Sequence, residues 1–411
     1  MKLRISMAAV ALTALVAAGC GSSSSSSSSS SGSSSASASA SASTTAAASG
    51  SSGGKCATSI AIEGPFTGPV AQLGLEQLHF AQLAVAADNK ANGTNVTLAQ
   101  DDTQLTPSIA TTKTQAIAGS SAVAALGPAG SQEVEAVGPL FGKAGMAFIS
   151  GSATLPALTT SGKNPTFLRV VPDDNVQGPQ DANYIINRLK PKAVLIIDDD
   201  EAYSQGLVNV MTPILEKAGI KVNHQTYNGT DTGATLANAL SSLVTSQLKS
   251  NDGVTVLPWQ TAANAQQFGL DVQQQHKTTI LFGTDGTDSP TQFKIPGTYV
   301  SNFGPDISTS SSAVDKSIVS GVAQYGPYGA FGVPTYAATD VEMKAIASVC
   351  KAGQTPSRSN VMAAIRKTNI PASANPLGVP IAFKSNGDLT GSPGYLFKIN
   401  SAGKYISIPN K

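Results

Sequence analysis

Charge is scarce in this chain: only 12% of its 411 residues are charged, and 26 basic residues offset 25 acidic ones to a formal net charge of +1. Aromatic residues make up 5% and no basic cluster stands out, so neither the electrostatic footprint nor the stacking platform of a nucleic-acid binder is present. The three histidines, His79, His224 and His276, are scattered, and we expect them to contact solvent. Ser246-Gln247-Leu248-Lys249 has the S-x-x-K spacing but lacks the S-D-N and K-T-G companions that would make it a nucleophile site. Asp198-Asp199-Asp200 has no Gly-centred loop with a spaced further ligand, so it reads as a solvated strand end rather than a calcium site. A phosphate-cradling loop with an adjacent Lys is also missing. With no catalytic constellation, we expect a protein that is not an enzyme and needs neither metal nor cofactor.

Long apolar runs are lacking too. The N-terminal run from Met7 to Ala18 follows Lys2 and Arg4 and is shorter than the ~20 residues that cross a bilayer, so it reads as a secretory signal peptide. Val16-Ala17-Ala18-Gly19-Cys20 resembles a bacterial lipobox, which makes residues 1–20 a lipoprotein signal and Cys20 the lipidated residue. A lipid-anchored protein on the outer face of the cytoplasmic membrane follows. Residues 21–55 are almost wholly Ser, Ala, Gly and Thr, a disordered spacer with a reach on the order of 30 Å. Apart from Cys20 there are two cysteines, Cys56 and Cys350, an even pair in an oxidising compartment and candidates for a disulfide.

From residue 56 onward short β-rich runs alternate with helical stretches, the pattern of parallel sheets covered on both faces. Ala122–Leu126 and Met146–Ile149 read as buried strands joined by a helix over 132–143, and each ends abruptly in Gly, Ser, Ala and Thr. Both loops therefore emerge on one edge of a parallel sheet, where open α/β sheets bind ligands. Hydroxyls and unobstructed backbone N–H groups there suit a small carboxylate. Further strands are expected at Phe167–Val171, Ala193–Ile197, Lys221–Tyr227, Val254–Leu257 and Thr279–Phe282, with helices at 179–189, 204–218, 234–248 and 262–275. So many strands divide more plausibly into two lobes than into one wide sheet.

Several of these pieces, in order, resemble the type I periplasmic binding proteins of ABC importers, in the branched-chain amino acid and amide subgroup. They are Thr67-Gly68-Pro69-Val70-Ala71-Gln72-Leu73-Gly74, Asp101-Asp102, the Gly127 to Thr154 unit, Asp198 to Gly206, and Phe282-Gly283-Thr284-Asp285-Gly286. Gly329-Ala330-Phe331 with Thr335 to Ala338, and Phe383 to Gly391, complete the series. The resemblance implies two Rossmann-like α/β lobes with parallel sheets, joined by three crossings near Val171-Pro172, Phe303-Gly304-Pro305 and Leu377-Gly378. Lobe one would hold 56–171 plus 305–377, and lobe two 172–304 plus 378–411.

It also implies roles. Ser131, Ser152 and Thr154 would hold the ligand carboxylate from lobe one, and Asp285 the ammonium from lobe two. Asp285 is shorter than the Glu usual in the family. Tyr203 would close over the ligand, Trp259 or its neighbour Gln260 would wall the cleft, and Leu73 and Phe331 would touch the ligand side chain. The family's usual disulfide, after Asp101-Asp102, has no cysteines here. The implied activity is capture of a branched-chain or other apolar amino acid by a monomer that delivers it to permease and ATPase subunits. An amide or urea ligand, or a sensor role, is the alternative.

Overall fold

A computed structural model describes residues 56–248, 253–391 and 394–409 of the chain. The signal peptide, Cys20 and the Ser/Ala spacer lie outside the described residues. Among those described, no helix is long and apolar enough to cross a membrane.

Two sheets organise the chain. The first is wholly parallel and contains β1 (Ala57–Gly64), β2 (Asn95–Asp102), β3 (Ala122–Leu126), β4 (Ala147–Ser150) and β5 (Phe167–Arg169), in the order β2-β1-β3-β4-β5. Strands β3 and β4 are buried along their whole length, which is why they read as unbroken apolar runs rather than alternating ones. Helix Ser131–Ala144 crosses between them and buries Val134, Val137 and Phe141. Phe141, Phe148 and Phe167 then stack in series, with ring centroids 4.5 and 5.1 Å apart. Each such ring contributes about 2–3 kcal/mol by leaving water.

The second sheet comprises β6 (Ala193–Asp198), β7 (Lys221–Thr226), β8 (Val254–Leu257), β9 (Ile280–Gly283), β10 (Tyr299–Asn302), β11 (Tyr395–Ile399) and β12 (Tyr405–Ile408), in the order β12-β11-β10-β9-β8-β6-β7. Strands β6 to β10 are parallel, as expected, but β11 and β12 run antiparallel at the edge. A short turn at 400–404 joins that last pair, and a two-strand return of this length can only be antiparallel.

Late segments fold back onto the first sheet. Helix Gly332–Lys351 packs its buried Val333, Ala337, Ala338, Val341 and Ile346 into the same core as Phe80 and Ala81 of helix Ala71–Asn92. Ile381 and Leu389 belong to that core as well, and Ile381 pairs with Ile370. The helix expected from Pro179 starts earlier, at Asp174, and carries Pro179 inside it. Pro179 cannot donate to the carbonyl of Asn175, which is exposed to water, so its presence inside the helix is tolerated.

Candidate functional site

The carboxyl ends of β3 and β4 open into two loops that hydroxyl groups lace together. Ser150 Oγ donates to the Pro128 carbonyl (2.8 Å) and accepts from the Ala153 N–H (3.0 Å). Ser152 Oγ donates to the Ala129 carbonyl (2.8 Å) and accepts from Gln77 Nε2 (3.0 Å). Ser131 opens the helix after β3, and its Oγ accepts from the Leu155 N–H at 3.2 Å. Its own hydroxyl hydrogen has no acceptor among the described residues, so it can donate outward. Gly127 makes this crowding possible: its φ is +85°, and a Cβ there would lie 2.2 Å from the Glu63 carbonyl oxygen. The helix start adds the positive end of its dipole, which favours an anion, although the Gly130 N–H already donates to Glu133 Oε2 at 2.9 Å.

The second sheet supplies the opposing wall. Asp285 follows β9, and Tyr203 lies in the first turn of helix Ala202–Lys217 after β6. Tyr203 donates its phenolic hydrogen to Asp285 Oδ1 (2.7 Å), while Thr284 Oγ1 (2.7 Å) and the Gly286 N–H (3.2 Å) donate to the phenol oxygen. Burial pushes the Asp285 carboxyl up to about 6, against the pull of Tyr203 and Gln177. Gly286 abuts the Trp259 carbonyl, where a Cβ would lie 2.2 Å away.

Six of the residues singled out from the sequence, Leu73, Ser131, Ser152, Tyr203, Asp285 and Phe331, line one narrow cavity of about 20 Å³ together with Leu105, Gln260 and Gly286. A second chamber of the same size shares Leu73, Gln260, Gly286 and Phe331 and reaches Glu76 and Asp288. The walls touch: Gln132 Nε2 donates to Gln260 Oε1 (3.1 Å), and Gln260 Nε2 lies 3.3 Å from Gln132 Oε1. A volume this small holds about one water, so a larger molecule enters only if the walls part.

Two expected residues stand elsewhere. Trp259 is fully buried in the core of the second sheet, its indole N–H donating to the Ile197 carbonyl (2.6 Å), and its neighbour Gln260 takes the cavity position. Thr154 is buried behind the cavity beside Asp174, whose carboxyl burial holds up at about 8. The aspartates ending β6 are not a solvated strand end: Asp198 and Asp199 are 1% and 2% exposed. Asp199 Oδ2 accepts from the Gln260 N–H (2.7 Å) and so fixes that residue, while Asp198 accepts from Thr226 and pairs with His224. His79 does not simply face solvent but stacks on Tyr325 at 3.6 Å.

Sequence reading missed Glu76. Its carboxylate accepts from the backbone N–H groups of Gly329 (2.7 Å), Phe331 (3.0 Å) and Gly332 (2.6 Å), and so positions Phe331 at the mouth of helix Gly332–Lys351. No sequence signal marks it, because its helix also buries Gln77 and Asp88 and so has no single apolar face. Among the described residues no group of acids, histidines and cysteines could hold a metal. Cys56 and Cys350 lie side by side as thiols, and burial together with the neighbouring Cys56 pushes the Cys350 thiol up to about 12.

A family model described as Periplasmic binding protein matches residues 57–404. The leucine-, isoleucine-, valine-, threonine- and alanine-binding protein of Pseudomonas aeruginosa is 31% identical over 186 residues, 44% of this chain and 49% of that relative. Against such relatives the chain thus aligns over about half their length. The Leu/Ile/Val-binding protein BraC3 of Rhizobium johnstonii is 28% identical over 85% of this chain and 93% of its own length. Among solved structures, the leucine-binding protein LivK of Thermotoga maritima superposes with a TM-score of 0.71 at 22% identity, covering 86% of this chain and 98% of that one. The isoleucine complex of LivJ from Streptococcus pneumoniae gives 0.70 at 19% identity, covering 86% and 100%.

Proposed function

We propose that this chain, which belongs to the periplasmic binding protein family, is the extracytoplasmic binding component of an ABC importer and holds an apolar amino acid between its two lobes. The observation that carries this is the placement of Ser131 and Asp285 on opposite walls of one cavity. Uncharged donors at Ser131 and the adjacent helix start would take the carboxylate, and Asp285, held by Tyr203, the ammonium. Leu73, Leu105 and Phe331 would take an aliphatic side chain. Relatives named for leucine, isoleucine and valine support that choice. Only the closed arrangement satisfies both charges, so ligand binding favours closure.

Lobe one would comprise 56–171 plus 305–377, and the burial of Ile381 and Leu389 argues for extending it to 389 before the chain returns to lobe two. Cys20 would carry the lipid anchor, and permease and ATPase subunits would receive the ligand from a monomer. Calorimetric titration tests the reading: leucine, isoleucine or valine binds, and Asp285→Ala weakens binding at least 30-fold, the loss of about 2 kcal/mol or more that a charged hydrogen bond supplies. Binding of isovaleramide or urea with no response to any amino acid would overturn it.

A further inference from the structure

We propose that the chain carries a second small-molecule site, a cavity behind the cleft that takes an organic ammonium with an aromatic or apolar body. The cavity holds about 440 Å³, within the range of small-molecule sites and far larger than the closed cleft. It lies where the chain leaves β10 and is closed by the segment Pro327–Gly329 and the turn between β11 and β12.

Its interior carries several acceptors, and the buried Tyr328 hydroxyl on the same wall has no partner among the described residues. Asp288, 4% exposed, forms part of its wall and is hydrogen-bonded by the Asn302 amide. Asn302 is itself 4% exposed, and its Oδ1 has no partner among the described residues. Asp306 stands at the mouth, and the carboxylates that act on Asp288 are Glu76, Asp285 and Asp306. The two lysines of the lining, Lys294 and Lys404, are both exposed, so their charged ends can remain in water. Burial and those neighbouring acids push the Asp288 carboxyl up to about 7, so above neutral pH a buried negative charge faces the cavity with no ion-pair partner among the described residues.

Three rings join this wall, with prolines, glycines and Ser308 between them. Tyr328, Phe397 and Tyr405 line it, the last two with centroids 6.3 Å apart. Rings flanking a carboxylate suit a cation with an apolar body, because the ring faces and the acid attract the same charge. A carboxylate-bearing ligand would meet Asp288 and Asp306 instead.

Titration calorimetry of the purified chain at pH 8 tests this with 2-phenylethylamine, 2-phenylethanol and phenylacetate. The amine binds at least tenfold tighter than the alcohol, and phenylacetate gives no heat. Asp306→Asn and Phe397→Ala each weaken amine binding about fivefold or more, while Leu73→Ala, in the cleft and outside this lining, leaves it unchanged. Equal affinity for amine and alcohol, no amine binding at millimolar concentration, or loss on Leu73→Ala would each overturn the proposal, the last by placing the amine in the cleft. If neither cavity variant folds, amide shifts of the unaltered chain decide. Amine-induced changes at 302–306 and 402–405 support the site, and changes confined to 129–131 and 284–286 overturn it. Leucine binding plays no part in these readouts, so the two proposals fail separately.

Discussion

Tyr203 donates to Asp285 at 2.7 Å, so the acid that faces the cavity is held by a phenol rather than by a cation. The arrangement orients the carboxylate without spending its charge, which remains available to a ligand ammonium. Tyr203→Phe removes that bond and strands the hydrogens of Thr284 and Gly286 that point at the phenol oxygen. We expect affinity for leucine to fall about tenfold, near the 1.5 kcal/mol of a single charged hydrogen bond, with the fold intact by circular dichroism.

Affinity should also depend on pH with a definite sign. Burial holds the Asp285 carboxyl at about 6, and an ammonium binds only its ionised form. As pH falls through about 6 the acid takes up a proton that the ligand must expel, so affinity drops by up to tenfold per pH unit below that point. Calorimetry at pH 5 in two buffers of different ionisation heat should show proton release on binding. A flat profile from pH 5 to 8 would remove Asp285 from the ammonium site.

Glu76 ties three backbone N–H groups to one buried carboxylate. Glu76→Ala leaves those donors facing apolar surroundings, at about 1–3 kcal/mol each and not fully additive. A loss of roughly 3 kcal/mol in urea denaturation is expected, with weaker ligand binding because Phe331 is no longer positioned. Glu76→Gln keeps an acceptor oxygen and should lose less.

Much of this was legible in the sequence, and the exceptions have physical causes. Runs such as Ala122–Leu126 end sharply in Gly and Ser where a buried parallel strand gives way to its loop, which marks the edge of the sheet; the roles of Ser131 and Ser152 are implied only by the family resemblance. Trp259 and Gln260 are neighbours leaving β8, and successive side chains there point to opposite sides, so a one-residue slip exchanges core for cleft. Asp198 and Asp199 resemble solvated strand ends, but their partners Thr226, His224 and Gln260 arrive from distant strands and loops that no local pattern reveals. Glu76 was hidden because its helix is buried on more than one side, including Gln77 and Asp88, so periodicity does not mark an inward-facing acid.

Cys56 and Cys350 are neighbours, so export to an oxidising compartment, as proposed, would join them in a disulfide. It would join the start of β1 to the end of helix Gly332–Lys351 and close a very long loop. The chain-entropy relation then gives about 5–6 kcal/mol of stabilisation. Thiol titration of the denatured, unreduced chain should find neither thiol, and dithiothreitol or Cys350→Ser should lower Tm by several degrees. Full thiol reactivity in protein isolated under oxidising conditions would refute the bridge.

Glu63 gives a prediction of stability rather than binding. It closes β1 beneath the loop at Gly127, where Thr114 Oγ1 donates to its Oε1 at 2.6 Å while Oε2 has no partner among the described residues. Burial, reinforced by Glu133 and Asp101 and opposed by Thr114, raises the carboxyl to about 8 from its ordinary 4.5. The folded value lies above the unfolded one, so the folded chain holds this proton more tightly. The resulting stabilisation is complete below pH 4.5 and disappears as pH rises through 8. Above that, the folded chain must either carry an unpaired buried charge or open. Unfolding free energies of the unaltered chain in urea should therefore decline between pH 7 and 9, Glu63 contributing on the order of 1 kcal/mol of the fall. Glu63→Gln keeps the shape and an acceptor for Thr114 but cannot ionise, so its midpoint should decline less over the same interval. Parallel curves would mean that Glu63 is already ionised at neutral pH and that a rearrangement of Thr114 or the Gly127 loop shelters its charge.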